Sequence, residues 1–181
     1  MTDPHAATTT PPADLVPGRS CDGCTMCCKL MEIDVLEKPR AVWCPHCDQK
    51  RGCTIYEVRP EPCRIFFCGY RKVPNLDERW KPSKAKFLVN YESRNNRIVI
   101  HVDPARASAW RQEPYLSTIR QWAKNAVREN GLVLVWTGDH AIAILPDREK
   151  DLGRVRDDQI LVPTLTQTPQ GPAYDITVRD T

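Results

Sequence analysis

Beyond Cys68 this chain of 181 residues contains no cysteine, although it carries nine in all. It also lacks any long apolar run. The longest, Leu132 to Trp136 and Ala141 to Leu145, fall far short of the roughly 20 residues a helix needs to cross a bilayer, which excludes a helical membrane span. The opening residues, MTDPHAATTTPPADLVPG, lack the basic start and apolar stretch of a secretory signal, so the sequence predicts a cytoplasmic protein. Histidine is scarce: His5, His46, His101 and His140 stand apart, without the spacing of a three-histidine catalytic site, and His46 between Pro45 and Cys47 reads as a loop residue. Surplus charge is small. A net charge of +3, with acids interleaved among the bases, argues only weakly for nucleic acid.

What the chain does have is a concentration of thiols, all nine between Cys21 and Cys68. A single cysteine is most often a small buried hydrophobe, but that reading cannot account for nine so close together. In a reducing compartment, clustered cysteines in odd number point to metal ligands or redox centres before structural disulfides.

Three segments follow from composition. Residues 1–18, rich in Thr, Pro and Ala, read as a disordered tail, because they have too little apolar surface to offset the entropy of ordering. Residues 19–74 form the cysteine module, broken by Pro39, Pro45, Pro60, Pro62 and Pro74, so that metal bonds would replace much of a missing core. Residues 75–181 form a region packed on that module as one compact domain. In it Phe87-Leu88-Val89 and Ile98-Val99-Ile100 flank Asn95-Asn96 as a hairpin. Tyr115, Leu116, Ile119, Trp122, Ala123, Ala126 and Val127 recur at helical spacing up to Asn130-Gly131. A second hairpin joins Leu132–Trp136 to Ala141–Leu145, and Gln159–Val162 and Ala173–Val178 offer further strands. The predicted class is α+β: an irregular cysteine-rich metal-binding module followed by a small antiparallel sheet with one amphipathic helix. Trp43, Trp80, Trp110, Trp122 and Trp136 read as core or interface anchors, because no basic interleaving marks them as a base-stacking row.

The spacing of the cysteines admits two partitions. Cys21-x2-Cys24-x2-Cys27 is the loop that supplies three corners of a four-iron cluster in ferredoxins, and Cys44-Pro45 has the form of the remote fourth corner. Alternatively, Cys21-x2-Cys24 and Cys44-x2-Cys47 are two knuckles of a zinc ribbon, which leaves five cysteines without a role. Cys27 and Cys28 are adjacent, and neighbouring side chains usually diverge, so they serve two centres more easily than one ion. If eight cysteines act, four per centre gives two centres.

The blocks CDGCTMCC, WCPHC and GCTIYEVRPEPCRIFFC, in that order, resemble the YkgJ-type CxxCxxCC cysteine cluster family, described as zinc- or iron-chelating. The resemblance spans Cys21 to Tyr70. It implies that Cys21, Cys24, Cys27, Cys28, Cys44, Cys53 and Cys63 are ligands. Cys68 matches relatives with a further cysteine before an aromatic residue, which makes eight. Cys47 falls where such proteins commonly have an apolar residue, so the resemblance leaves it out and opposes the zinc ribbon.

Tyr56, Arg59 and Arg64 lie among the last ligands, where they would line the cofactor and guanidinium groups could offset surplus thiolate charge. The bland alternative is a solvated helix face. The expected function is a cytoplasmic metal-binding protein holding zinc or an iron–sulfur cluster through eight thiolates. Iron–sulfur is favoured on Cys21, Cys24 and Cys27 together with Cys44-Pro45. Its expected partners are metal ions, with no membrane, nucleic acid disfavoured, and no protein partner legible. Two alternatives stand beside it. The family resembles the cysteine-rich portion of flagellin lysine methylases, an iron–sulfur enzyme reading, but the eight glycines never form the G-x-G-x-x-G loop expected for S-adenosylmethionine. A zinc-ribbon nucleic-acid module would draw on Arg71, Lys72, Arg79, Lys81, Lys84 and Lys86, a run interrupted by Asp77 and Glu78.

Overall fold

Proline spacing sets the character of the chain before Phe87, where no element among the described residues exceeds five residues. The structure, a computed structural model, describes residues 14–156, 158–169 and 171–181. The expected tail at 1–18 lies outside the described residues up to position 13. Residues 14–18 are held: the Val16 amide donates to the Arg71 carbonyl at 2.8 Å, and Asp14 pairs with Lys72 at 3.3 Å. Helix α1 spans Met26–Leu30, a minimal hairpin joins β1 (Cys47–Asp48) to β2 (Gly52–Cys53), and α2 (Glu61–Ile65) and α3 (Gly69–Lys72) follow. Pro60 caps α2 and Pro62 lies in its first turn, where a missing N–H costs nothing. A further short helix, α4 (Pro82–Ala85), leads into the sheet.

The second half is built on longer strands. Strands β3 (Phe87–Glu92), β4 (Arg97–Val102), β5 (Leu132–Thr137), β6 (His140–Ile144) and β7 (Glu149–Arg154) form one sheet in that order. Both expected hairpins are present, β3–β4 and β5–β6, and helix α5 (Tyr115–Arg128) lies between them. The chain is therefore α+β. The sheet itself is mixed and not antiparallel, because β4 and β5 pair in parallel, Val99 opposite Leu134 and His101 opposite Trp136. The cause is α5: a helix long enough to carry the chain back across the sheet returns β5 in the same direction as β4. At the end of that crossover Gly131 is required, since a Cβ there would come within 2.9 Å of the Asn96 carbonyl oxygen.

The two faces of the sheet take different partners. Ile100, Val102, Val133, Val135 and Ile144 bury against Ile119 and Ala123 of α5, with Trp80, Phe87 and Trp110 completing that core. On the other face Leu132, Leu134, Ala141 and Ala143 meet Leu161 and Ile176. These last two come from a hairpin of β8 (Gln159–Thr168) and β9 (Gly171–Asp180), each strand longer than its apolar run suggested. The same face carries Leu88, which is 1% exposed and packs on Met26 and Leu30 of α1. That contact seats the cysteine module. Among the described residues, no helix is long and apolar enough to cross a membrane.

Candidate metal centre

The first loop is shaped by a turn in which the Cys24 amide donates to the Cys21 carbonyl at 2.9 Å, with Gly23 at a φ of 67°. It runs into α1, whose inward side is fixed by Met26 and Leu30 four residues apart. Cys27 and Cys28 are consecutive on that short helix, and each is the strongest influence on the other. Cys24, Cys27, Phe66 and Cys68 lie against the cluster of Met26, Leu30 and Leu88. Cys28 faces the second loop, and its carbonyl accepts from the Cys44 amide at 2.9 Å. A further turn, Cys47 amide to Cys44 carbonyl at 3.0 Å, leads into β1, where Cys47 pairs directly with Cys53. Opposed residues of an antiparallel pair share a face, so these two thiols lie on one side of the ribbon. Helix α2 brings Cys63, and Cys68 stands just before α3.

All nine thiols are free, and they gather in two groups. Burial raises the Cys21 pKa, with Cys24 adding to the rise, and burial pushes Cys68 up to about 11, with Cys21 and Cys24 the thiols that add to it. Cys27 feels Cys28 most strongly and then Cys21 and Cys24, so Cys21, Cys24, Cys27 and Cys68 form one group. In the other, Cys47 is pushed up to about 12 by burial and by Cys28, Cys44 and Cys53. Cys63 is raised by burial and by the same three thiols, so Cys28, Cys44, Cys47, Cys53 and Cys63 belong together. Cys27 and Cys28 meet at the junction, where their mutual influence draws the Cys28 pKa down and holds that of Cys27 up. Protonated thiols of this kind must release protons when a metal binds.

Neither partition read from spacing matches this arrangement. The fourth thiol beside Cys21, Cys24 and Cys27 is Cys68 and not Cys44, while the zinc-ribbon pairs Cys21/Cys24 and Cys44/Cys47 fall in different groups. Tertiary packing accounts for this, because Cys24, Cys27 and Cys68 all lie against the one cluster of Met26, Leu30 and Leu88. Cys47, outside the ligand set expected from the family resemblance, is brought near Cys28, each shifting the pKa of the other.

The cations around the thiols are only partly those expected. Arg59 lies over the Tyr56 ring at 3.7 Å and lowers the Cys63 pKa, but Tyr56 itself is 54% exposed. Arg64 is exposed at the end of α2, with no partner among the described residues. Two cations escaped sequence reasoning. Arg71 reaches Cys21 with an Nη1–Sγ distance of 3.7 Å and opposes the rise in its pKa. Lys38, 2% exposed, donates its ammonium to the carbonyls of Lys29 at 3.1 Å, Pro39 at 3.0 Å and Met31. Burial lowers its pKa, and Cys44, Cys28 and Cys27 counter that. Neither was legible in the sequence: Arg71 meets Cys21 from 50 residues away, and Lys38 lies between Glu37 and Pro39.

The basic run considered for nucleic acid is largely engaged within the protein. Lys72 pairs with Asp14, Arg79 with Asp77 and Lys84 with Glu78, while Lys81 donates to the Asp22 carbonyl.

The donor set suits a soft metal: thiolates select zinc, copper(I) and iron–sulfur clusters, and cations stand beside both groups. The thiols are gathered but not closed into a cage. Among the described residues, no three His, Cys, Asp or Glu side chains already stand placed around a metal position. Comparison with protein-family models, with curated proteins and with solved structures finds no match for this chain.

Proposed function

We propose that this protein binds zinc or iron–sulfur centres through two groups of four thiolates. Cys21, Cys24, Cys27 and Cys68 would hold one, and Cys28, Cys44, Cys53 and Cys63 the other. The observation that carries this reading is the convergence of nine free thiols, drawn from separate turns and short helices, into two neighbouring groups with cations beside them. The resemblance of the three cysteine blocks to the CxxCxxCC cluster family supports the same eight ligands, and a reducing compartment such as the cytoplasm would keep them available.

Bound zinc would supply folding energy to the module, and a bound iron–sulfur cluster would supply a site for electron transfer. The residues of this chain do the rest. Arg71 favours the thiolate of Cys21, Arg59 that of Cys63, and Lys38 those of Cys44, Cys28 and Cys27. Leu88 fixes α1, and through it the directions of Cys27 and Cys28. The test is metal and acid-labile sulfide analysis of anaerobically purified protein, with its visible spectrum. Iron with sulfide and absorption that bleaches on reduction assigns clusters, and a colourless protein with two zinc ions assigns zinc. Protein that retains neither after reconstitution overturns the proposal.

A further inference from the structure

The cysteine module meets the sheet a second time, at the end of the β3–β4 ladder. Phe87 and Val102 close that ladder, and the chain extends the pairing by one bond, the Asp103 amide donating to the Lys86 carbonyl at 2.9 Å. Lys86 is held in the left-handed region, at a φ of 64°, between α4 and β3. Asp103 then organises the turn that follows it: its carbonyl accepts from the Arg106 amide at 2.7 Å, and its carboxylate accepts from the Ala105 amide at 2.9 Å. Backbone hydrogen bonds thus root Lys86, Asp103 and Arg106 together. From the module, Lys29 of α1 reaches across to the Asp103 carboxylate at 2.6 Å, its ammonium 5.4 Å from the centre of the Trp43 ring.

Around this ion pair the seam opens as a cleft of about 610 Å³, within the range of small-molecule sites. Its lining carries three cations, Lys29, Lys86 and Arg106, and one carboxylate, Asp103. Lys29 and Asp103, 15% and 11% exposed, neutralise each other. Lys86 donates to the Ser83 carbonyl at 2.5 Å, an uncharged partner, and neither it nor Arg106 makes an ion pair among the described residues. The cleft is left with two uncompensated positive charges. Two cations scattered over a surface would simply be hydrated. Here the backbone roots both beside one concave site, whose low-dielectric walls concentrate their field, and Met26 and Trp43 add apolar surface to the lining.

We propose that this cleft binds a small organic dianion, a phosphate monoester or a dicarboxylate, with its charged end at Lys86 and Arg106 and its body against Met26 and Trp43. Two unpaired cations match two negative charges. The Arg106 guanidinium supplies a fork of donors that fits either oxyanion, and the Lys86 ammonium adds a compact point charge. The volume exceeds what a bare inorganic anion fills, so the ligand carries an organic body. No cysteine lines the cleft, and the site is separate from the thiol groups.

The test is calorimetric titration of the full chain as purified, at about pH 8, where a phosphate monoester is a dianion. Phenyl phosphate and phenylmalonate are the dianionic probes, with phenylacetate as the monoanion and inorganic phosphate as the anion without a body. At least one dianionic probe should bind one to one, at least about tenfold tighter than phenylacetate or inorganic phosphate, the gain expected from one further charge-assisted contact. The tighter of the two identifies the headgroup. Its affinity should fall as salt rises from about 50 to about 300 mM, because the cations are exposed to screening. Lys86→Gln and Arg106→Gln, both at exposed positions where the fold does not depend on the side chain, should each weaken that binding about tenfold, whereas Arg128→Gln, at the far end of α5, should not. If no probe binds, or if the dianions bind no tighter than phenylacetate, the proposal fails. Dianion binding that is unchanged in Arg106→Gln and Lys86→Gln overturns it equally.

Discussion

Replacing Cys68 with serine separates the grouping of thiols in the structure from the one suggested by spacing. Cys68 packs with Cys24 and Cys27 against Leu88, and the thiols that raise its pKa are Cys21 and Cys24. A four-thiolate zinc site contributes about 10–16 kcal/mol, so one ligand in four carries on the order of 3–4 kcal/mol, or roughly 100- to 1,000-fold in retention. Cys68→Ser should therefore empty the first group under chelator challenge and leave the second, halving the metal content per chain. Cys44→Ser should empty the second and also leave half. Double variants sharpen the result, because losses at separate centres add whereas losses within one centre do not. Cys24→Ser with Cys68→Ser should retain half of the metal, and Cys24→Ser with Cys44→Ser should retain none. Metal and sulfide per chain, measured after gel filtration with a competing chelator, give the answer. The opposite pattern, with half retained in the Cys24/Cys44 variant and none in the Cys24/Cys68 variant, would refute the grouping and restore the ferredoxin-like set.

Leu88→Ala removes a side chain that is 1% exposed at the seat of the module, so it should destabilise by about 2–5 kcal/mol and lower Tm by several degrees. An unchanged melting curve would mean that the module is not anchored there. Arg71→Gln and Arg59→Gln should each weaken metal retention roughly 10- to 100-fold, whereas Arg64→Gln should change nothing; equal losses from all three would deny Arg71 and Arg59 their special place. Chelation should abolish amide protection across residues 19–74 and spare the five-stranded sheet, an outcome that equal protection with and without metal would contradict. His101 titrates at about 4 in the folded chain against 6.5 for the free side chain, and 6.5 − 4 corresponds to about 3 kcal/mol. The unfolded chain takes up that proton first, so stability is full above pH 6.5 and falls between 6.5 and 4, and denaturant curves of His101→Gln should lose that slope.

Local pattern carried much of the fold. The apolar runs Phe87–Val89 and Ile98–Ile100 on either side of Asn95-Asn96 and the 3.6-residue period from Tyr115 to Val127 placed both flanking strands and α5. What it did not carry was direction and pairing. The unbroken run Leu132 to Val135 is buried throughout, as strands covered on both faces are, and that continuity was the available sign of a parallel neighbour. Strand β7, with Leu152 its only large apolar side chain, has no pattern to read and is held by the free edge of β6. In the site, the clustering of cysteines singled out the module, but how its thiols group depends on how α1 seats against Leu88 and on which loops meet Cys28. Those are tertiary facts. The cation at Arg71 comes from the same source, since it depends on α3 folding back beside the first loop.

Lys38 bears on the ninth thiol. An ammonium that is 2% exposed and held by three carbonyls is satisfied in hydrogen bonds but not in charge, and burial without a counter-charge is costly. The charges that steady it are those of Cys44, Cys28 and Cys27, so the lysine and those thiolates stabilise one another. Four thiolates around a divalent ion leave a surplus of two negative charges, which a buried cation at that point offsets. The Cys47 pKa is pushed up to about 12, first by burial and then by Cys28, so that thiol stays protonated near pH 7. A protonated thiol against the lowered Cys28 is a hydrogen-bond donor, and its bond to Cys28 favours the Cys28 thiolate. The family resemblance leaves Cys47 out, so the proposed ligands of the second group stay Cys28, Cys44, Cys53 and Cys63. Cys47 then supports Cys28 from outside the coordination sphere, and Cys47→Ala should weaken the second centre without emptying it.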